Sequence, residues 1–188
     1  RGDYRRAIDC LGKTVVALDE LGHRERFGAV FLPAVLSRAI LAACHAEQGS
    51  FAEGRALGAE GLRIAEAMAH PPSLMVGSWC VGLLALRQGD LPRALPLCER
   101  AVGICQDADI PTYFPWIAAA LGAAYALAER VADAVSLLTQ AMEQSVAEEN
   151  VSFQALCRLP LSEAQLLAGR LEEARALAEH TLMLAREH

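Results

Sequence analysis

The chain has 188 residues, a formal net charge of −6, and a composition that is 54% hydrophobic but 5% aromatic. This acidic balance offers no basic face with which to displace counterions from phosphates, which argues against a nucleic-acid partner. A core supplied by Ala, Leu and Val with few aromatics suits helix packed on helix and predicts an all-α chain without strands.

A turn followed by the same small/apolar helical pattern occurs five times: GDYRRAI from Gly2, GSFAEGR from Gly49, GDLPRAL from Gly89, ERVADAV from Glu129 and GRLEEAR from Gly169. The starts lie 47 and then three times 40 residues apart, a self-similarity that signals stacked helix pairs. Two residues after each start stands a large apolar group (Tyr4, Phe51, Leu91, Val131, Leu171), and five after it a small one (Ala7, Gly54, Ala94, Ala134, Ala174). These offsets trace one helical face, and small residues at a crossing let two backbones approach closely.

In chain order the pattern predicts nine helices, over about Asp3 to Leu21, Gly28 to Gln48, Phe51 to Ala69, Pro72 to Gln88, Leu91 to Asp107, Thr112 to Ala128, Val131 to Ala147, Val151 to Ala168 and Leu171 to Glu187. The first is the second half of a repeat whose partner helix is missing, so the chain reads as a fragment of a larger protein. It reads as a single repeat domain over 1–188, with a half repeat at 1–22 and repeats at 28–69, 71–107, 111–147 and 151–187. Pro71, Pro72 and Pro111 open first helices, where a missing N–H is harmless, while Pro33, Pro96 and Pro160 predict kinks or late helix starts. Gly54, Gly58 and Gly61 recur at helical spacing, which fits close helix crossing better than a phosphate-cradling loop. The last helix still presents Leu171, Ala174, Leu177, Ala178 and Leu182, so further repeats, a neighbouring domain or a second copy in a homodimer are expected to cover it.

The stretch Ile110 to Ala128 carries no charge and has almost the length of a membrane span. Its early prolines, its alanines and its place in the repeat register make it a buried helix of the stack instead, and no membrane association is expected. The six cysteines, Cys10, Cys44, Cys80, Cys98, Cys105 and Cys157, occupy helical apolar positions without zinc spacing and read as small core residues in a reducing cytoplasm. Cys98 and Cys105 share a helix face, the arrangement nearest to a metal or redox pair. The histidines accompany no metal, nucleophile or phosphate motif. The chain is therefore expected to be neither an enzyme nor a holder of a metal or cofactor.

Ahead of each turn lies a first helix, clearest at Leu121-Gly122-Ala123-Ala124-Tyr125, followed by Glu129, Ala134 and Ala141. These residues resemble the tetratricopeptide repeat, whose first helix carries a Leu-Gly pair and a Tyr and whose second carries two spaced alanines. The match is partial: His45, Ala85 and Gln165 stand where Tyr125 does, and Glu66, Gln106 and Val146 replace the family's closing proline. The resemblance implies a right-handed α-α superhelix whose first helices line a concave groove. Counted back 13, 10, 6, 3 and 2 residues from each turn, the lining is Leu36, Ala39, Ala43, Ala46 and Glu47; Val76, Trp79, Leu83, Leu86 and Arg87; Trp116, Ala119, Ala123, Ala126 and Leu127; and Leu156, Leu159, Glu163, Leu166 and Leu167. The family's Lys/Asn/Arg clamp for a peptide carboxylate is missing. Trp79 and Trp116 either anchor a partner in the groove or fill the core between repeats, and replacing both with Ala separates the readings, since core tryptophans would take the fold with them.

The phrases GDLPRALPLCERAVGICQDADIPTYFPW and VSFQALCRLPLSEAQLLAGRLEEARALAEHTLMLARE are similar to the helical-repeat region of bacterial signalling proteins that join a class III adenylate or guanylate cyclase to an AAA-type ATPase module. Similar repeats adjoin the ATPase of maltose-regulon-type transcriptional activators. This resemblance implies a bacterial regulatory module and carries over no catalytic residue. Two functions remain: a scaffold whose apolar groove binds a protein or peptide segment, including other domains of its own parent protein, or a sensor whose groove takes a small apolar ligand. With Glu47, Arg87 and Glu163 as the polar groups of the lining, the scaffold is favoured.

Overall fold

A computed structural model describes residues 3–187; Gly2, where the first repeat motif begins, lies outside them. The described residues form α-helices and one 3-10 turn, with no strand among them. They fall into two compact units, Arg1–Asp109 and Ile110–His188.

The first unit holds α1 (Tyr4–Leu21), α2 (Pro33–Glu47), α3 (Phe51–Ala67), α4 (Pro71–Arg87) and α5 (Leu91–Asp107). There α2 packs on α1, α3 and α4, and α4 packs on α3 and α5. The second unit holds a 3-10 turn (Pro111–Tyr113), α6 (Phe114–Leu127), α7 (Val131–Ala147), α8 (Val151–Leu167) and α9 (Leu171–Glu187). There α6 packs on α7 and α8, α7 on α8, and α8 on α9. In both units, therefore, the first helices of successive pairs lie side by side.

A corner recurs every 20 residues. Gly49, Ala69, Gly89, Asp109, Glu129, Glu149 and Gly169 all have positive φ, between 46° and 77°. After most of them the next N–H reaches back over the corner: Ser50 to the His45 carbonyl, Asp90 to Ala85, Arg130 to Tyr125, Asn150 to Ser145 and Arg170 to Gln165, at 2.9 to 3.0 Å. This left-handed cap satisfies carbonyls that a helix end would otherwise leave bare. At the opposite ends, Asp90 and Asn150 accept from the Arg93 and Phe153 N–H groups at 3.3 and 3.1 Å, ordinary N-caps.

Within each pair the helices cross at a small residue. A Cβ on Gly122 would lie 2.3 Å from Leu138 Cγ, and one on Gly82 would lie 2.7 Å from Cys98 Sγ. Gly58, in the matching place on α3, faces the small Ala42. The glycines of α3 are buried as close crossings require: a Cβ on Gly54 would meet Leu84 Cδ1 at 2.5 Å and the Ala42 carbonyl at 3.1 Å. Around these crossings, Val35, Ile64, Met75 and Val76 fill the first unit, and Ile117 and Leu138 the second.

Four details depart from the expectation. The second helix begins at Pro33 rather than Gly28, because Gly22, Phe27 and Gly28 all take positive φ in the preceding loop and a proline at the first helical position starts the helix late. The helix expected from Thr112 opens as a 3-10 turn and becomes α-helical at Phe114. Helices α5 and α8 run through Pro96 and Pro160 without a late start. Of the cysteines, Cys10 is exposed rather than core. Burial pushes the Cys98 thiol up to about 12 and the Cys105 thiol up to about 11, so both are protonated at neutral pH.

Candidate functional site

The lining positions fall on α2 and α4 in the first unit and on α6 and α8 in the second. On α2, Ala39 and Ala46 are buried, Leu36 and Ala43 half-buried, and Glu47 exposed. On α4, Val76 is fully enclosed and Trp79 is 7% exposed; Leu86 is also buried, Leu83 half-buried and Arg87 exposed. Trp79 and Val76 therefore belong to the core and offer no surface to a partner. Arg87 Nε donates to Glu47 Oε1 at 2.9 Å. Both groups are substantially exposed, so the pair ties the ends of neighbouring first helices with only a few tenths of a kcal/mol.

The second unit differs. On α6, Ala119 and Ala126 are buried, Trp116 and Ala123 half-buried, and Leu127 exposed. Trp116 sits beside Tyr113 with ring centroids 6.3 Å apart and planes tilted by 58°, a favourable aromatic pairing. On α8 the lining is open throughout: Leu156, Leu159, Leu166 and Leu167 are 48%, 54%, 56% and 58% exposed, and Glu163 is exposed among them. The underside of the helix is fixed, since Cys157, Pro160, Leu161 and Ala164 are buried and Cys157 Sγ donates to the Pro115 carbonyl at 3.3 Å. Leu161 and Ala164 share a core with Ala126, Ala134 and Leu138. A rigid helix thus displays four leucines and one carboxylate on a single face.

Two arginines outside the lining positions are also buried. Arg38 is 3% exposed; its guanidinium pairs with Asp19 of α1 and donates to the Ala34 carbonyl at 3.0 Å. Hydrogen bonds from His23 and Arg38 hold the Asp19 carboxyl below the usual carboxylate range. Arg158 stands at the matching place on α8, also buried, and donates to Gln154 Oε1 at 3.0 Å. The shared distance of Arg38 and Arg158 from their turns is the signal that could have found them. Among the described residues, no group of side chains is suited to hold a metal, and no helix is long and apolar enough to cross a membrane.

No protein-family model matches the chain, and neither does any curated protein. Solved structures do. A putative kinesin light chain from Podosopora anserina with nearly identical TPR-like repeats superimposes with a TM-score of 0.62 at 19% identity, covering 99% of this chain and 89% of the other. BtubC (BKLC) from P. vanneervenii gives 0.62 at 14% identity, over 98% and 92% of the two chains. The aspartyl phosphate phosphatase F of Bacillus subtilis gives 0.63 at 12% identity, with 97% of this chain matched to 55% of that one. The fold is that of tetratricopeptide-like repeats. At such identities the likeness establishes architecture, and the repeat's corners, crossings and side-by-side first helices are all present here.

Proposed function

We propose that this chain is a non-catalytic protein-interaction module that binds a partner segment along the first-helix wall, chiefly on α6 and α8. The observation that carries this reading is the leucine face of α8. Isolated exposed leucines need no explanation, but four on one face of a helix whose other side is locked into a core form a contiguous apolar surface of the kind that marks a binding site. An open face about 18 Å long, from Leu156 to Leu167, suits a polypeptide segment better than a small apolar molecule, which needs an enclosed pocket. Trp116 and Leu127 extend the wall onto α6. In the setting implied by the resemblance to cyclase- and ATPase-linked repeats, the module is regulatory and cytoplasmic, and its segment comes from another domain of its parent or from a separate signalling protein.

Site-specific photocrosslinking tests this in cells. A benzophenone side chain at Leu159 is expected to capture a discrete partner, and Leu156→Asp with Leu166→Asp to abolish capture. Equal capture from Gln140, exposed on α7, would sink the proposal, because it would mean that the wall has no privilege over other surfaces.

A further inference from the structure

Arg38 and Arg158 stand eleven residues ahead of their turns at Gly49 and Gly169, where the other two repeats carry the uncharged Ser78 and Ala118. Both guanidiniums run back one helical turn, Arg38 to the Ala34 carbonyl and Arg158 to Gln154 Oε1. From there they part. The Arg38 charge is met by Asp19, which reaches it from α1, the preceding second helix. Asp19 lies seventeen residues past its turn at Gly2, and the same count from Glu129 along α7, the second helix ahead of α8, gives Val146. Gln154 Nε2 donates to the neighbouring Ser145 carbonyl at 3.2 Å, which places this end of α7 beside the Arg158 group. Arg158 is thus 6% exposed, with its Nη1 buried and without a hydrogen-bond partner. No carboxylate among the described residues lies near enough to raise its pKa, which burial alone holds below the usual guanidinium value.

We infer that Arg158 is an anion site: a carboxylate brought by a ligand meets the guanidinium over Val146, in the place that Asp19 takes over Arg38. A buried charge without a counter-charge is strongly unfavourable, and a guanidinium offers a carboxylate paired, charge-assisted hydrogen bonds. The first unit shows how such a group is reached. The Arg38 side chain is 4% exposed, yet the Asp19 side chain that pairs with it is 45% exposed. An anion standing half in solvent therefore meets a guanidinium as deeply set as that of Arg158, and Val146, at 50% exposure, leaves the corresponding place open to water. The carboxylate belongs either to a small free acid or to an Asp or Glu side chain of a bound polypeptide. Because Arg158 lies on the packed side of α8, the site is separate from the leucine wall and does not depend on it.

The test follows the Arg158 Nε–H resonance of the full chain by NMR, assigned by its loss in Arg158→Met. Two probes are titrated: sodium acetate, exchanged for chloride at constant ionic strength, and a doubly capped Gly-Gly-Asp-Gly-Gly peptide whose sole carboxylate is its side chain. At least one is expected to move the resonance saturably and to raise the melting temperature, and the thermal effect should vanish in Arg158→Met. A response to acetate alone assigns a free acid, and tighter binding of the peptide assigns a side chain. Val146→Asp is expected to supply the carboxylate from within: it should raise the melting temperature by at least about 2 °C, abolish the response to both probes, and give no such gain when combined with Arg158→Met. Arg158→Met removes an unmatched buried charge and is expected to keep the fold, while Val146→Asp alone leaves Arg158 in place and tests the point independently. Silence of the resonance toward both probes overturns the inference. So does a thermal response that Arg158→Met retains, or a Val146→Asp gain that persists without Arg158, because the anion would then sit elsewhere.

Discussion

The backbone N–H of Leu32, at the start of α2, donates to Ser73 Oγ at 2.8 Å, and His70 Nδ1 lies 2.9 Å from that hydroxyl. Leu32 has no side-chain cap of its own, so this hydroxyl from α4 satisfies an N–H that, standing ahead of the first helical turn, has no intrahelical partner. Ser73 is fully buried, and Ser73→Ala is expected to cost about 1 to 3 kcal/mol in a urea titration, the range for a buried donor left unpaired. Burial, aided by the charge of Arg26, holds the His70 imidazole below its usual 6.5. A base whose folded value is depressed favours the native state above its unfolded value and loses that contribution as pH falls through the folded one. Melting temperature should therefore drop on acidification below about 6.5, and His70→Gln should flatten that part of the profile. None of this was legible in the sequence, because the groups lie 41 residues apart and no local pattern joins them. Trp79 teaches the same lesson: repeat register says which side of a helix a residue takes, while burial depends on what packs there. Trp79→Ala should cost about 3 to 5 kcal/mol by chemical denaturation, in contrast to the small effect expected of a surface anchor.

At the scale of the element, the corners govern. An L-residue held in the left-handed region is strained by roughly 1 kcal/mol relative to glycine, and Ala69, Glu129 and Glu149 bear that strain at φ of 46°, 60° and 54°. Glu129→Gly and Glu149→Gly should each raise stability by about 0.5 to 1 kcal/mol, and Gly89→Ala should lower it by a similar amount, all readable from shifts in melting temperature. These residues also explain why the sequence disclosed a period of 40 but not its half. The corners at Gly49, Gly89, Glu129 and Gly169 each open the shared small/apolar pattern, whereas Ala69, Asp109 and Glu149 carry the same backbone without that pattern behind them. Helix boundaries followed well wherever these corners set them. They failed ahead of α2, where the longer interval hides a loop that ends at Pro33.

For the molecule as a whole, each unit depends on a few crossings at which one helix accepts the bulk of another. Leu138 is fully buried against Gly122, and Leu138→Ala should cost about 3 to 5 kcal/mol. In hydrogen exchange the lost protection should be greatest in α6, α7 and α8, because a repeat passes stress to its direct neighbours first. Equal loss throughout the chain would contradict that local bookkeeping. The candidate wall was partly legible on this scale. Counting back from the turns found the α8 leucines, since those positions depend only on register, but it could not tell that α4 would enclose Val76 and Trp79 while α8 remained open.

The even spacing of the left-handed corners has a genetic corollary. Two hairpins that start and stop at equivalent backbone joints can be spliced at those joints without redesigning either one. Recombination between corresponding corners would add or delete forty codons at a stroke, and every surviving joint would still find its αL residue in step.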